Sequence, residues 1–384
     1  MIKFNLNKFC TGCGGCIDVC PKQCITPSIK HGFMIPNINI ELCINCGLCN
    51  KVCPVENKTI NHRQLNILYA AYNKNNIIRQ KSSSGGLFEV FARYIIRLGG
   101  NVYACTLDHL KCKHIAISTE DDIIKCIGSK YIQSDTKNIY KAIKSDLSNN
   151  TFVLFVGTPC QCNALLNFIG NNRENLYVID FICHGVCSQD LFTRSVRLFE
   201  RQNNYKIIDF SFRYKTKESL RNFKVKYITN NSTKCIIKYP AEFPYYNAFL
   251  NHYTFRNSCY KCQHKTIARV SDVTLGDFWN IEKKEKFAHD YKLGYSAVVI
   301  NTAKGNILFS KIKSDIFYKK MNINFLIDNN SALTKVDKKP LLRSVYGGLY
   351  KCNIRILTDL VLTNKPSLVS RFIRALCNKL DLIK

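Results

Sequence analysis

Beyond residue 66 the chain alternates short apolar runs with longer stretches in which apolar residues return every three or four positions. Ile67–Tyr72, Asn101–Thr106, Thr151–Val156, Leu176–Phe181, Ile207–Phe212 and Ser296–Asn301 read as strands. Gly85–Leu98, Thr136–Asn149, Cys160–Ile169, Ser188–Arg201 and Ala303–Ser314 read as helices. The alternation predicts an α/β body with a mixed sheet. Residues 57–66 are polar and read as a linker, and Ile25–Ile40, broken at His31-Gly32, reads as a small hairpin. The expected units are therefore 1–56, a linker at 57–66, a body at 67–320 and a basic helical tail at 321–384.

A chain of 384 residues suits two or three domains, and 46% hydrophobic with 22% charged residues suits a packed fold. No apolar run approaches the roughly 18–20 residues of a membrane span. Met1–Lys8 has no apolar core of a signal peptide, so a cytoplasmic location is expected. The formal charge is +29. Acidic residues interleave with the basic ones throughout, which argues for a solvated basic surface and against nucleic acid as a partner.

Cysteine changes this picture, because 21 is far above ordinary use and the number is odd. In a reducing compartment such a count points to metal ligation rather than disulfides. Cys10, Cys13, Cys16 and Cys20 precede Pro21, and Cys43, Cys46, Cys49 and Cys53 precede Pro54. Both runs have the spacing C-x2-C-x2-C-x3-C-P, offset by 33 positions. Three cysteines on a tight loop reach three irons of one cubane, while the fourth ligates the other cluster. Zinc sites use two C-x2-C pairs instead. The expected sets are Cys10, Cys13, Cys16 with Cys53, and Cys43, Cys46, Cys49 with Cys20, making two 4Fe–4S clusters. This segment resembles bacterial two-cluster ferredoxins, which implies an α+β ferredoxin-like N-terminal unit. Cys24 falls outside the motif and reads as a spare buried thiol. Residues 1–56 carry +2 and the remainder +27, so eight ligating thiolates would leave an acidic unit facing a basic body.

In the body, Cys160 lies in Gly157-Thr158-Pro159-Cys160-Gln161, where a helix N-terminus favours a thiolate. Cys183 ends the next strand, and Cys259 and Cys262 form a C-x2-C pair. These four are able to close a sulfur site for zinc or a third cluster. Equally, Cys160 is a lone reactive thiol, with Cys162 and Cys187 rivals as ligands. Ser82-Ser83-Ser84-Gly85-Gly86 before a helix is either an anion-binding nest or an ordinary N-cap. No G-x-G-x-x-G follows the early strands, so a dinucleotide fold is not indicated.

Taken together, Ser82–Gly86, Gly128–Ser134, Gly157–Gln161, Cys183–Val186, Cys259-x2-Cys262 and Arg269–Trp279 resemble the coenzyme F420 hydrogenase/dehydrogenase beta-subunit family, many of whose members carry a fused two-cluster ferredoxin domain. The resemblance covers about residues 1–315. It implies FAD in the body beside a third 4Fe–4S cluster on Cys160, Cys183, Cys259 and Cys262. Members usually have an apolar residue at the position of Cys162 and proline at that of Cys187, which removes both as ligands. Ser82, Ser83, Ser84, Gly85, Gly86 and Lys130 are the implied contacts to flavin phosphate, with Thr158, Arg269, Asp272 and Asp277 nearby. For Asp277 and Trp279 plain packing is the equal alternative.

Cubanes pass single electrons, whereas flavin handles one or two. The expected function is a flavin iron–sulfur oxidoreductase serving a small-molecule two-electron acceptor. That acceptor is coenzyme F420 in the named family, or another organic substrate such as a cell-envelope polysaccharide precursor. The alternatives are a non-catalytic electron-transfer subunit serving a partner enzyme, and a zinc- and nucleic-acid-binding protein. An external electron donor or acceptor protein is the expected macromolecular partner. In the tail, Leu368, Val369, Phe372, Ile373, Leu376 and Leu380 recur at helical spacing among Arg371, Arg374 and Lys379. Such a helix either packs on the body or makes peripheral membrane contact.

Overall fold

The computed structural model describes residues 5–57, 64–170, 174–216, 223–283, 285, 290–344, 368, 370–373 and 375–376. Thirteen strands lie among them. The first two, β1 (Ile25–Lys30) and β2 (Phe33–Ile38), form the expected antiparallel hairpin, turning at His31 and Gly32 with φ of 50° and 80°. Next come β3 (Ile67–Asn73), β4 (Asn101–Asp108), β5 (Lys111–Ile117), β6 (Val153–Gly157), β7 (Leu176–Phe181), β8 (Ile207–Tyr214), β9 (Lys224–Thr229), β10 (Ser232–Lys238), β11 (Val273–Asp277), β12 (Ser296–Ile300) and β13 (Ile316–Met321).

Eight strands make one mixed sheet in the order β13-β3-β12-β11-β7-β6-β4-β5. Within it β11, β7, β6 and β4 run parallel, and the outer strands are antiparallel. The centre is apolar on both faces, as a helix-covered sheet requires: Val153, Leu154 and Phe155 are buried, as is every residue of β12. The helix Leu87–Arg97 buries Leu87, Val90, Phe91 and Ile95 on one face, and the helices Ile139–Ser148 and Pro159–Ile169 pack on the other. The helices are shorter than their apolar spacing suggested: Thr136 and Gly85 lie outside them because Asn138 and Gly86 cap in the left-handed region. Strands β8, β9 and β10 form a separate antiparallel sheet over an aromatic core that includes Phe192, Phe210, Phe212 and Tyr246.

The expected boundary at residue 320 falls inside β13, and the chain beyond it remains packed: Leu326, Leu333 and Leu342 are buried and Asp337 pairs with Lys265 at 2.8 Å. Of the expected tail helix, Val369, Arg374, Lys379 and Leu380 lie outside the described residues. Leu368, Phe372 and Leu376 are exposed, while Ile373 touches the aromatic core. Among the described residues, no helix is long and apolar enough to cross a membrane.

The N-terminal unit is bonded to the body at many points. Asp18 accepts from the backbone N–H groups of Asn138 (3.1 Å) and Tyr140 (3.2 Å). Cys13 O accepts from Thr136 Oγ1 and Tyr140 OH, both at 2.7 Å. Gln133 Nε2 donates to Thr11 O and Gly12 O.

Candidate metal centres and the adjoining cavity

Each C-x2-C-x2-C loop turns through left-handed backbone. Gly12 and Gly14 have φ of 68° and 81°, and Asn45 and Gly47, their counterparts 33 positions on, have 51° and 75°. Each turn draws its three thiols to one side. Cys10, Cys13, Cys16 and Cys53 line one small chamber, floored by Leu6, Met34 and Pro36. Cys20, Cys43, Cys46 and Cys49 line a second, which Cys24 also enters with its Sγ 3.3 Å from that of Cys20. Burial pushes the Cys13, Cys16 and Cys53 thiols above their ordinary value, and neighbouring thiols add to this. Four sulfurs gathered in a desolvated space suit metal, whose positive charge makes thiolates stable there. Sulfur-only donor sets fit an iron–sulfur cubane.

In the body, the register Gly157↔Asp180 sets the C-terminal ends of β6 and β7 side by side. Cys160 follows one and Cys183 the other. Pro159 opens the helix after β6, and Gln161 Oε1 accepts from Thr158 N at 3.0 Å, which fixes the turn that carries Cys160. Cys259 and Cys262 come from the short 3-10 turn Asn257–Lys261 and its end. All four thiols line a third chamber, together with Phe9, Thr11, Pro54 and Val55 of the N-terminal unit. Cys162 and Cys187 point elsewhere. Cys162 Sγ reaches Gly157 O and Ile179 O within the sheet, and Cys187 Sγ meets Thr254 Oγ1 at 2.8 Å. One expectation is reversed. Burial outweighs the helix N-terminus at Cys160 and pushes its thiol up to about 11, despite Thr158 Oγ1 at 3.2 Å.

Arg256 lies between the first and third chambers, and sequence reasoning missed it. The residue is 4% exposed, and its guanidinium donates to Gln133 Oε1 (3.1 Å), Cys10 O (3.2 Å) and Met34 O. Burial lowers its pKa, and Cys10, Cys259, Cys160 and Cys13 oppose that.

Cys160 and Cys183 also belong to the wall of a much larger cavity of about 520 Å³ at the C-terminal edge of the parallel strands. Ligands of open α/β sheets collect at this edge. Ser82, Ser83, Ser84, Gly86, Lys130, Thr158 and Asp277 line it. Gly85 and Arg269 do not. A side chain at Gly85 would strike Ala71 O at 2.5 Å, and Arg269 faces Asp180 at 3.6 Å by the third chamber. Asp272 serves the sheet, accepting from Val178 N and Thr302 Oγ1. The serine hydroxyls join the loops of the wall. Ser83 Oγ accepts from Ser129 N at 2.8 Å, and Ser84 Oγ donates to Tyr295 O at 2.9 Å. Lys130 Nζ donates to Cys126 O and Ile127 O. Asp277 pairs with buried Arg213, which packs against Phe223 and Trp279. His184, from the Cys183–Val186 segment, lines the same cavity, as do His114, Arg213 and His252, which carry no distinguishing sequence signal. Late residues Asn330 and Ala332 line it too.

Residues 9–57 match the 4Fe-4S dicluster domain, and residues 151–324 match the C-terminal part of the coenzyme F420 hydrogenase/dehydrogenase beta chain. No curated protein matches the chain. A solved structure described as "Xenon derivatization of the F420-reducing [NiFe] hydrogenase complex from Methanosarcina barkeri" aligns with a TM-score of 0.47 and 16% identity, over 75% of this chain and 90% of that one. The chain thus joins a 4Fe-4S dicluster domain at its N-terminal end to a body whose residues 151–324 are similar to the C-terminal part of the coenzyme F420 hydrogenase/dehydrogenase beta subunit.

Proposed function

We propose that the protein is a flavin iron–sulfur oxidoreductase in which single electrons pass through three 4Fe–4S clusters to FAD in the large cavity. One observation carries this reading: Cys160 and Cys183 line both the third chamber and the cavity, and Thr11 lines the first chamber, the third and the cavity. The ligand sets are those of the three chambers, and residues 1–56 act as a ferredoxin-like unit. When bound, flavin would exchange one electron at a time with a cluster and two with an organic acceptor.

The chain's own residues supply position and field. Gly86 and the Ser82–Ser84 loop present a helix start to an anionic group, and Lys130 adds a cation to the same wall. Phe181, Phe249 and Trp279 supply apolar walls for a flat ring. Arg256 places a desolvated positive charge beside Cys10, Cys13, Cys160 and Cys259, which lowers the mutual repulsion of thiol ligands from the first and third sets. The acceptor is coenzyme F420 or another small organic molecule, such as an unsaturated cell-envelope precursor.

Iron, sulfide and flavin content of anaerobically purified protein tests the reading. About twelve irons per chain and one flavin are expected. Near eight irons would leave Cys160 a lone thiol, and neither iron nor flavin after anaerobic reconstitution would end the proposal. Hydride exchange with deazaflavin, NAD(P)H and reduced ferredoxin then identifies the acceptor.

A further inference from the structure

Two thiols outside the three cysteine sets stand together, Cys105 on the cavity wall and Cys112 behind it. Cys105 is on β4 and Cys112 on β5, joined by a tight turn at His109 and Leu110 with φ of 44° and 62°. The register Cys105↔His114 and Leu107↔Cys112 makes them diagonal neighbours on one face of the hairpin. Their Sγ atoms are 3.3 Å apart. Cys105 lines the 520 Å³ cavity beside Cys126 and Lys130. Cys112 is 3% exposed behind it, with its Sγ 3.5 Å from Ile132 O. One thiol is therefore open to a ligand, and the other is accessible only through the first.

We propose that Cys105 and Cys112 form a thiol–disulfide exchange couple that takes a small disulfide as its substrate. The Cys105 thiol gives up its proton and, as the thiolate, attacks one sulfur of the substrate, forming a mixed disulfide and releasing the first substrate thiolate, which takes up that proton. Cys112 then gives up its proton and attacks the Cys105 sulfur. A Cys105–Cys112 disulfide forms and the second substrate thiol leaves. The substrate gains two electrons and two protons, and the cysteine pair loses the same. A small dithiol returns the pair to its starting state.

The surroundings favour this division of roles. The hydrogen bond from Cys112, then the Lys130 ammonium and Ser134, hold the Cys105 thiol below its ordinary value, and the same bond with burial raises Cys112. A lowered attacking thiol with a buried resolving thiol is what exchange requires. Diagonal cross-strand positions usually lie about 7–8 Å apart between Cα atoms, beyond the usual disulfide span, so the bond forms with some backbone movement and stays labile. The couple stands on the cavity and two sulfurs, not on iron or flavin.

The test treats anaerobic holoprotein with dithiodipyridine, traps remaining thiols by alkylation and maps tryptic peptides. Lys111 separates the two cysteines, so the disulfide joins peptides that trypsin would otherwise part. The wild type is expected to give that joined species, with the loss of two hydrogens. Cys112→Ser is expected to hold a pyridyl adduct on Cys105, and Cys105→Ser to leave Cys112 unlabelled. The proposal is overturned if Cys105 is recovered alkylated while other thiols are labelled, or if the wild type keeps the pyridyl adduct instead of the joined peptides. Iron and flavin content play no part in either outcome.

Discussion

Replacing Gly12 with asparagine isolates the contact between the N-terminal unit and the body, because the internal repeat supplies its own reference. Gly12 corresponds to Asn45, and both sit in left-handed backbone, at φ of 68° and 51°. Asparagine at 12 therefore costs little in backbone conformation. The difference is what surrounds the side chain. Asn45 is exposed, whereas a Cβ at Gly12 would overlap the Arg256 guanidinium and stand 2.5 Å from Gln133 Nε2. Both groups are already bonded, so neither yields freely: Arg256 serves Cys10 O and Met34 O, and Gln133 serves Thr11 O and Gly12 O. Displacing Arg256 strands two part-buried carbonyls, at no more than about 1–3 kcal/mol each, or ~2–6 kcal/mol as an upper bound. Gly47→Ala is the control. Its φ is 75° with nothing within 4 Å, so it costs about 1–2 kcal/mol of backbone strain alone. Anaerobic urea titration, followed by the visible absorbance of the clusters, reads both variants. Gly12→Asn should lose its colour at clearly lower urea than Gly47→Ala. If the two midpoints coincide, the Arg256 bridge does not hold the units together.

Cys53→Ser should remove about four irons per chain, because this distant residue closes the first chamber, and it should leave the second set intact by electron paramagnetic resonance. Arg256→Met should make the first and third clusters harder to reduce, since a buried positive charge beside Cys10 and Cys160 is lost; redox titration reads this, and an unchanged potential refutes it. His114 gives a pH signature. Burial pushes its pKa down to about 4 while it sits stacked on Phe155 with Nε2 3.0 Å from Val156 O. The unfolded chain binds the extra proton between about pH 6.5 and 4, so stability falls as pH drops through that window and is flat above it. The difference is about 3 kcal/mol at full extent, and His114→Gln should flatten that limb of a denaturant midpoint–pH plot.

The parts of the molecule legible in the sequence were those governed by local pattern. The cysteine repeat announced its own cross-over, and the chambers bring Cys53 to the first triplet and Cys20 to the second. Central strands such as Val153–Gly157 were visible as unbroken apolar runs because both faces are covered. Among the strands hidden in the sequence, Lys111–Ile117 and Lys224–Thr229 both begin Lys-x-Lys, and Ile316–Met321 exposes Lys319 and Lys320, so each looks like a loop in a basic chain. Cys160 was misjudged electrostatically. Helix position is a property of sequence, but the burial that overrides it depends on Cys262 and on Phe9 and Pro54 from the far end of the chain.

Arg256 shows why such residues resist sequence reading and why they matter. In the chain it is one basic residue among 56, three positions before Cys259. In the fold its backbone N–H donates to Val186 O, just after Cys183, and its carbonyl accepts from Cys259 N. Its side chain crosses to Cys10 O and Met34 O. The same residue thus fixes the turn that carries Cys259, ties that turn to the segment that carries Cys183, and grips the loop that carries Cys10 and Cys13. Desolvating a guanidinium is costly unless its donors are met. Gln133 Oε1 of the body meets one of them, and the other two are met by Cys10 O and Met34 O only when the N-terminal unit is seated, so the first and third thiol sets are brought into alignment by the same event that stabilises the buried charge.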